Sequence, residues 1–431
     1  MDEKNIFDVL VIGGGPAGMM AAGRAAECGA RVGLIEKNKS LGKKLLLTGG
    51  GRCNLTNHKL NTRKFLEKFK EHGKFLFSAF SQYGVKETLI FFHARKLETK
   101  TEEGGRVFPL NDKASSVFDV LGKYMQEGRV TVFSGNPVKK MFRNGNTITS
   151  VRLKDGKEMY ARAIILATGG KSHPETGSTG DGFLWLEELG HTVIPPKPSL
   201  VPLAIKEKWV KSMQGVVLSD IKISALQNGE KRMTKKGNIL FTHFGVSGPT
   251  ILNMSGEIGE LLKYGEVILS IDMFPSHGHG DLNKKIQEVL KKENNKKIKN
   301  VIGALIPVAS FEPIVLSRSG IDPDKFCHSV TREERLALIA FLKNIPMHVE
   351  KLLGVEKSIV TSGGVPLTEV DSKTMRSRLF SNLYFAGDIL NIDRPSGGYS
   401  LQLCWTTGYV AGTSACEFGE KIIDFPDCLN R

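Results

Sequence analysis

Residues 8–36, DVLVIGGGPAGMMAAGRAAECGARVGLIE, decide the fold class. They open with an apolar strand at 9–12, pass through a Gly-x-Gly-x-x-Gly turn into a helix of small residues beginning near Pro16, and close with a second strand at 31–35 followed by an acid. Gly13 permits the tight turn, Gly15 lets the backbone approach a pyrophosphate, and Gly18 lets the helix press against the sheet. The first helical turn, with Pro16 and Ala17, points free N–H groups and the positive end of the helix dipole at phosphate. Glu36 follows Gly18 by 18 residues, where a carboxylate accepts hydrogen bonds from both ribose hydroxyls of an adenosine and disfavours a 2′-phosphate. A glycine turn alone fits many α/β proteins, but strand, helix and acid together specify a dinucleotide.

At 431 residues the chain exceeds one ordinary core, so two or three domains are expected. Hydrophobic content of 40% and charged content of 24% are those of a globular protein, and no window approaches the roughly 18 apolar residues of a membrane span. The first four residues run almost directly into a strand, leaving no room for a signal peptide, so a cytoplasmic protein is expected. Six cysteines never come closer than 12 residues apart, which excludes a Cys-x-x-Cys redox pair and a zinc knuckle. His277 and His279 lie in a Ser-His-Gly-His-Gly turn without neighbouring acids or thiols, and no metal site is expected. A net charge of +15 admits nucleic acid, an acidic surface or an anionic substrate as partner. Part of it falls in 284–299, where Ile286, Val289 and Leu290 share a face with Leu282 and lysines cover the rest. Few aromatics interleave, so a solvated helix face is favoured over a nucleic-acid surface, which stays open.

The nucleotide fold resumes twice. Residues 161–170 form a buried strand ending in Thr168-Gly169-Gly170, and 383–388 form another ending in Gly387-Asp388. Both place their carboxyl ends toward the ligand. Residues 130–160 alternate as a small antiparallel layer, including 130–133 and 147–153, and Val138 begins a connection across the adenine side. The prolines at 195, 196 and 198 mark a boundary. The expected architecture is α/β: a discontinuous Rossmann-like domain (1–195 and 355–431), a β-rich insert (196–275) and a small helical insert (276–354). Thr331 and Glu334 stand at capping-box spacing in the helical insert. A final helix is expected near 401–417.

Four further segments carry a more specific likeness: KKLLLTGGGRCNLTN (43–57), GGKSHPETGSTGDGF (169–183), LFTHFGVSGPTIL (240–252) and TSGGVPLTEVDSKTMRSRLFSNLYFAGDILNIDRPSGGYSLQLCWTTGYVAG (361–412). With the N-terminal turn they resemble the bacterial flavoprotein family that includes aminoacetone oxidase and the bile-acid 3-dehydro-Δ4,6-reductases. The resemblance implies non-covalent FAD, the discontinuous domain and the two inserts, but not the substrate. The family more often carries Gly-Glu-apolar-Leu-Asp and Gly-Gly-Tyr-Asn where this chain has Asp388, Asn391 and Ser400, with Arg394 beside them.

In the loop 49–57, Gly51 and its neighbours bring amides close to a ligand, Arg52 is suited to phosphate or a flavin edge, and Asn54 to a cofactor hydrogen bond. Cys53 is grouped with them but reads as packing. Lys37 and Lys44 complete the cofactor set. Asp181 resembles a residue that lies along the flavin in fumarate-reductase-like flavoproteins, and reads equally as a helix cap. Gly398, Tyr399, Ser400 and Leu401 precede or open the final helix, whose dipole would stabilise negative charge on reduced flavin and favour hydride acceptance at N5. For proton transfer the candidates are His173, His243 and Tyr399. The expected activity is NAD(P)H-linked reduction of an unsaturated carbonyl, NAD(P)H being a transient donor. The alternatives are a small-amine oxidase producing hydrogen peroxide and an RNA-modifying or RNA-binding flavoprotein.

Overall fold

The computed structural model describes residues 6–421. The chain divides into two compact units, one built from residues up to Pro198 and from Ser358 onward, the other from Ser199–Lys357.

The first unit is organised on five parallel strands in the order Thr131–Ser134, Val32–Glu36, Ile6–Ile12, Glu158–Leu166, Leu383–Phe385. Val9, Leu10 and Val11 are wholly buried, as a strand covered on both faces requires. The strand at 131–134, expected in an antiparallel layer, instead pairs parallel with Val32–Glu36, Gly33 opposite Thr131 and Glu36 opposite Ser134. It follows the helix Ala114–Glu127, and a helical crossover returns the chain in the same direction. The antiparallel layer consists of Val138–Asn144, Thr147–Leu153 and the beginning of Glu158–Leu166, with Gly145 taking the left-handed turn position.

Two helices cover one another at unusually short range. The opening helix Pro16–Glu27 meets the final helix Tyr399–Lys421, where a Cβ on Gly408 would stand 2.5 Å from the Ala17 carbonyl oxygen and one on Gly412 2.5 Å from that of Ala21. Glycines four apart on one helix face allow this approach. The proline-bearing segment at 194–199 is a short strand that, among the described residues, pairs with Val360–Gly364 in a two-stranded sheet, an edge position that tolerates missing N–H donors.

The second unit is a closed six-stranded barrel in the order Leu203–Ile205, Gly245–Ser247, Glu230–Thr242, Val217–Gln227, Ile268–Asp272, Ile345–Leu352. Helices His279–Lys292, Lys299–Leu305, Glu312–Ser319 and Arg332–Lys343 lie in the chain between the last two strands. The stretch 276–354 was expected to be a separate helical insert. It contributes the barrel's closing strand, and its Leu282, Ile286, Val315 and Leu338 share one buried cluster with Ile223, Phe241 and Leu269 of the barrel. An amphipathic helix cannot bury its apolar stripe alone, so the helices and the barrel complete a common core. The capping box forms, Thr331 Oγ1 accepting from the Glu334 amide at 3.2 Å and Glu334 Oε2 from the Thr331 amide at 2.8 Å.

Candidate cofactor site

The loops that follow the carboxyl ends of all five parallel strands converge on one cavity of about 910 Å³, open mouth included. Gly13–Gly15, Glu36–Asn38, Pro137 and Val138, Ala167–Gly169, and Ala386 with Asp388 form its walls. This is where an open α/β sheet binds its ligand.

The three glycines differ as their spacing predicts. Gly13 has φ +109°, and a Cβ there would lie 2.5 Å from the Ala167 carbonyl oxygen. A Cβ on Gly18 would lie 1.8 Å from the Gly13 carbonyl oxygen, so Gly18 serves packing and is not part of the cavity wall. Gly15 is the reverse case: it lines the cavity, and a Cβ there meets nothing within 4 Å. The first α-helical hydrogen bond of the following helix runs from the Met19 amide to the Gly15 carbonyl, which leaves the Ala17 and Gly18 amides without helical acceptors. Pro16 at the start has no amide to satisfy.

Glu36 is buried at the edge of this turn. Its Oε2 accepts from the Gly14 amide at 2.8 Å, and its Oε1 from the Asn38 amide and side chain, each at 2.7 Å. These bonds fix the carboxylate while leaving lone pairs for hydroxyl donors. Lys37 pairs with Asp181 at 2.8 Å, and Asp181 also accepts from Thr179 Oγ1 at 2.7 Å. Burial alone would raise the Asp181 carboxyl, but hydrogen bonds from Lys37 and Thr179 outweigh it and hold the group below its ordinary range. Asp181 is the first residue of the helix Asp181–Leu189, one past the N-cap Gly180, and it also lines the cavity. Lys44 donates to the carbonyl and hydroxyl of Ser172 at 3.0 and 2.5 Å, and its ammonium is pulled down chiefly by burial while Asp388 supports its charge. The Thr168 hydroxyl is buried on the wall with no partner among the described residues.

The remaining sequence candidates lie off this wall. Gly49, Gly50 and Gly51 form an exposed left-handed loop. The Arg52 guanidinium is committed to Glu102 and to Asp112 at 2.7 Å and stacks 4.1 Å over Phe108, so the expectation that it neutralises phosphate gives way to a structural ion pair. Cys53 is wholly buried, with its thiol pushed up to about 12 by desolvation. Asn54, with its amide oriented to suit its neighbours, accepts from the Gly398 amide at 2.9 Å and donates to the Thr56 carbonyl at 3.1 Å. Gly398 needs its missing side chain because a Cβ would lie 2.3 Å from Thr56 backbone. Gly387 takes φ +74° in the turn that delivers Asp388. Leu401 is buried in the core.

Of the three proton-transfer candidates, none lines the cavity. Tyr399 is buried, 4.7 Å from the ring of Phe65 and 6.0 Å from that of Phe69, and burial pushes its phenol up to about 12. His243 lies exposed in a turn of the second unit with its ring edge against Phe244. His173 is held by Glu175 at 2.8 Å, next to the serine that binds Lys44.

Sequence reading missed Cys404 and Asn38. Cys404 lines the cavity, its thiol pushed up to about 12 by burial, and only the fold brings it to the opening helix. Asn38 orients Glu36 and donates to the Thr176 carbonyl at 2.9 Å; its place two residues past the acid was the available signal. The departures at 388 and 400 meet at one guanidinium, Arg394 contacting Asp388 and donating to Ser400 Oγ at 3.0 Å, while Asn391 accepts from the Gly363 amide at 3.0 Å. Among the described residues no group of three potential metal ligands occurs, and no helix is long and apolar enough to cross a membrane.

An open backbone at Gly15, first-turn amides without helical acceptors, an anchored acid and an orphaned hydroxyl fit an adenine dinucleotide. Comparisons with known proteins agree. The chain is 32% identical over 412 residues to the 3-dehydro-bile acid delta(4,6)-reductase of Clostridium scindens, covering 94% of this chain and 98% of that one. It is 29% identical over 403 residues to the ribosomal RNA dihydrouridine synthase of Escherichia coli, covering 94% and 96%. Its fold resembles that of a flavocytochrome c3 fumarate reductase (TM-score 0.55, 15% identity, 97% and 79% covered). It also resembles the 3-ketosteroid-delta4-(5alpha)-dehydrogenase of Rhodococcus jostii RHA1 (TM-score 0.54, 14% identity, 95% and 97% covered). The family model described as HI0933-like protein Rossmann domain matches residues 7–414, and the chain belongs to this family of FAD-dependent oxidoreductases.

Proposed function

We propose that this protein reduces a carbon–carbon double bond conjugated to a carbonyl, with NAD(P)H as a transient donor. The observation that carries the proposal is a chemical identity between its two kinds of full-length relative. A 3-dehydro-Δ4,6 steroid and a uridine ring both hold a C=C in conjugation with C=O, and saturating that bond is what both names describe. Bound FAD supplies a two-electron carrier that takes and delivers hydride at N5. The chain's own contribution begins with holding the dinucleotide: Gly15 and the helix amides meet the diphosphate, Glu36 the adenosine ribose, and Asp388 a hydroxyl of the ribityl chain. Hydride addition at the β-carbon leaves a carbanion α to the carbonyl, which needs a proton. We assign that proton to His173, which stands just off the cavity wall beside Ser172, the partner of cavity-lining Lys44, and whose ring Glu175 orients.

A second substrate reading, uridine in RNA, is favoured by the charge of +15 and by exposed Lys231, Arg232, Lys235, Lys236, Lys284, Lys285, Lys291 and Lys292 of the second unit. The test is anaerobic. The yellow protein is bleached with NADPH or NADH, then mixed with a 3-oxo-4,6-diene steroid or with unmodified ribosomal RNA. Recolouring by one of them, with a saturated product, identifies the substrate class. Recolouring by dioxygen alone, with fast bleaching by aminoacetone, would replace the reductase reading by the amine-oxidase one.

A further inference from the structure

One ion pair on the cavity wall has a fully enclosed partner. Arg394 has no exposed side-chain surface and Asp388 is 14% exposed. The guanidinium spends each nitrogen on a different element: Nη2 on Asp388 Oδ1, Nε on Ser400 Oγ at 3.0 Å, and Nη1 on the Ile392 carbonyl at 2.9 Å. It therefore ties the turn Gly387–Ile389, which follows the last sheet strand, to the opening turn of the helix Tyr399–Lys421. A guanidinium cannot shed its proton, so in this enclosed place it requires a carboxylate beside it. Asp388 uses Oδ1 for that pairing and lines the cavity. Lys44 adds a third charge to the same wall, and its ammonium is supported by Asp388 and opposed by Arg394.

We propose that Arg394 is a positioning residue for the cofactor: it keeps Asp388 aimed as a hydrogen-bond acceptor for the bound flavin nucleotide, and it locks that acceptor to the final helix. The inference rests on reading the cavity as an FAD site. It makes Arg394 and Asp388 one device, neutral as a pair and charged when either member is lost, and that is a property flavin can report.

Apoprotein of wild type, Arg394→Met, Asp388→Asn and the double variant is titrated with FAD, and the midpoint potential of the bound flavin is measured by dye equilibration. Each single change is expected to weaken FAD binding about tenfold or more, and the double variant to bind no more weakly than the worse single one. The potentials are expected to move in opposite directions. Loss of the cation disfavours the electron-rich reduced flavin about tenfold, close to 30 mV more negative for a two-electron couple, and loss of the anion raises it by a similar amount. The double variant returns near wild type. A merely structural pair would move both single variants the same way. Potentials that shift in one direction, losses of affinity that multiply, or three variants indistinguishable from wild type would each overturn the inference. Should Arg394→Met fail to fold, Arg394→Lys keeps the charge but cannot serve all three partners. It is expected to hold the wild-type potential while losing FAD affinity several-fold, and full affinity there overturns the inference. Wild-type protein that takes up no FAD overturns the cofactor reading and this inference together, whereas wild-type uptake with unaltered variants overturns the inference alone.

Discussion

Gly15→Ala separates a glycine required by the fold from one required by a ligand. Gly15 has φ −80° and ψ −177°, backbone that alanine adopts without strain, and its added Cβ would meet no protein atom within 4 Å. The apoprotein variant should therefore fold at least as well as wild type, gaining about 0.4–1 kcal/mol from a less flexible unfolded chain. That methyl would project into the cavity, against whatever lies on the backbone there. If a diphosphate lies there, the clash should cost at least about 2.7 kcal/mol, a hundredfold in affinity. The consequence for stability follows by linkage: at a concentration one hundred times the wild-type Kd, FAD stabilises wild type by about 2.7 kcal/mol and the variant by about 0.4 kcal/mol. The assay is thermal melting of both apoproteins with and without FAD, together with calorimetric titration. Gly18→Ala is the contrast, since its Cβ would stand 1.8 Å from the Gly13 carbonyl oxygen and should destabilise the apoprotein itself. A Gly15→Ala protein that binds FAD as tightly as wild type, or an apoprotein that melts well below it, would refute the reasoning.

Gly412→Val drives side-chain carbon into the Ala21 carbonyl, 2.5 Å from the first added atom, and should cost about 1–3 kcal/mol or more in urea unfolding. Cys53 and Cys404, each buried with a thiol pushed up to about 12, should resist iodoacetamide in the native protein and label only after denaturation, as peptide mapping would report. Glu102 is held below its ordinary range by Arg52, and Asp112 by Lys100 and then Arg52. Both carboxyls are depressed, so their contribution is present above the ordinary carboxylate range of about 4 and lost as pH falls through the folded values; Arg52→Gln should thus lose less melting temperature than wild type between neutral and acid pH. His173→Gln should slow recolouring of reduced protein by an enone about a hundredfold while leaving bleaching by NAD(P)H unchanged, a split that stopped-flow mixing resolves.

The dinucleotide turn was legible because its chemistry is local: Gly13, Gly15 and Glu36 do their work within one βαβ unit, and their spacing is the mechanism. The strand ends at Thr168 and Asp388 were legible for a related reason, as short apolar runs ending in Gly-Gly or Gly-Asp. Arg52 was misjudged because its partners, Glu102 and Asp112, are 50 and 60 residues away, and nothing near it shows that its charge is already matched. Cys404 and the Arg394 network were hidden for the same reason, since packing across the final helix decides what they touch. The closing barrel strand Ile345–Leu352 follows a helix without a strong turn signal, and its pairing with Ile268–Asp272 spans the whole helical excursion.

If this cavity holds FAD as the working group of an oxidoreductase, the nucleotide must come off the denatured holoprotein in fixed proportion to the chain. Denaturing a known amount of purified, FAD-reconstituted protein and quantifying the nucleotide released tests it most directly. A yellow protein that releases one FAD per chain is expected, and a Gly15→Ala protein that releases little. A colourless wild-type protein that retains no FAD after reconstitution would contradict it.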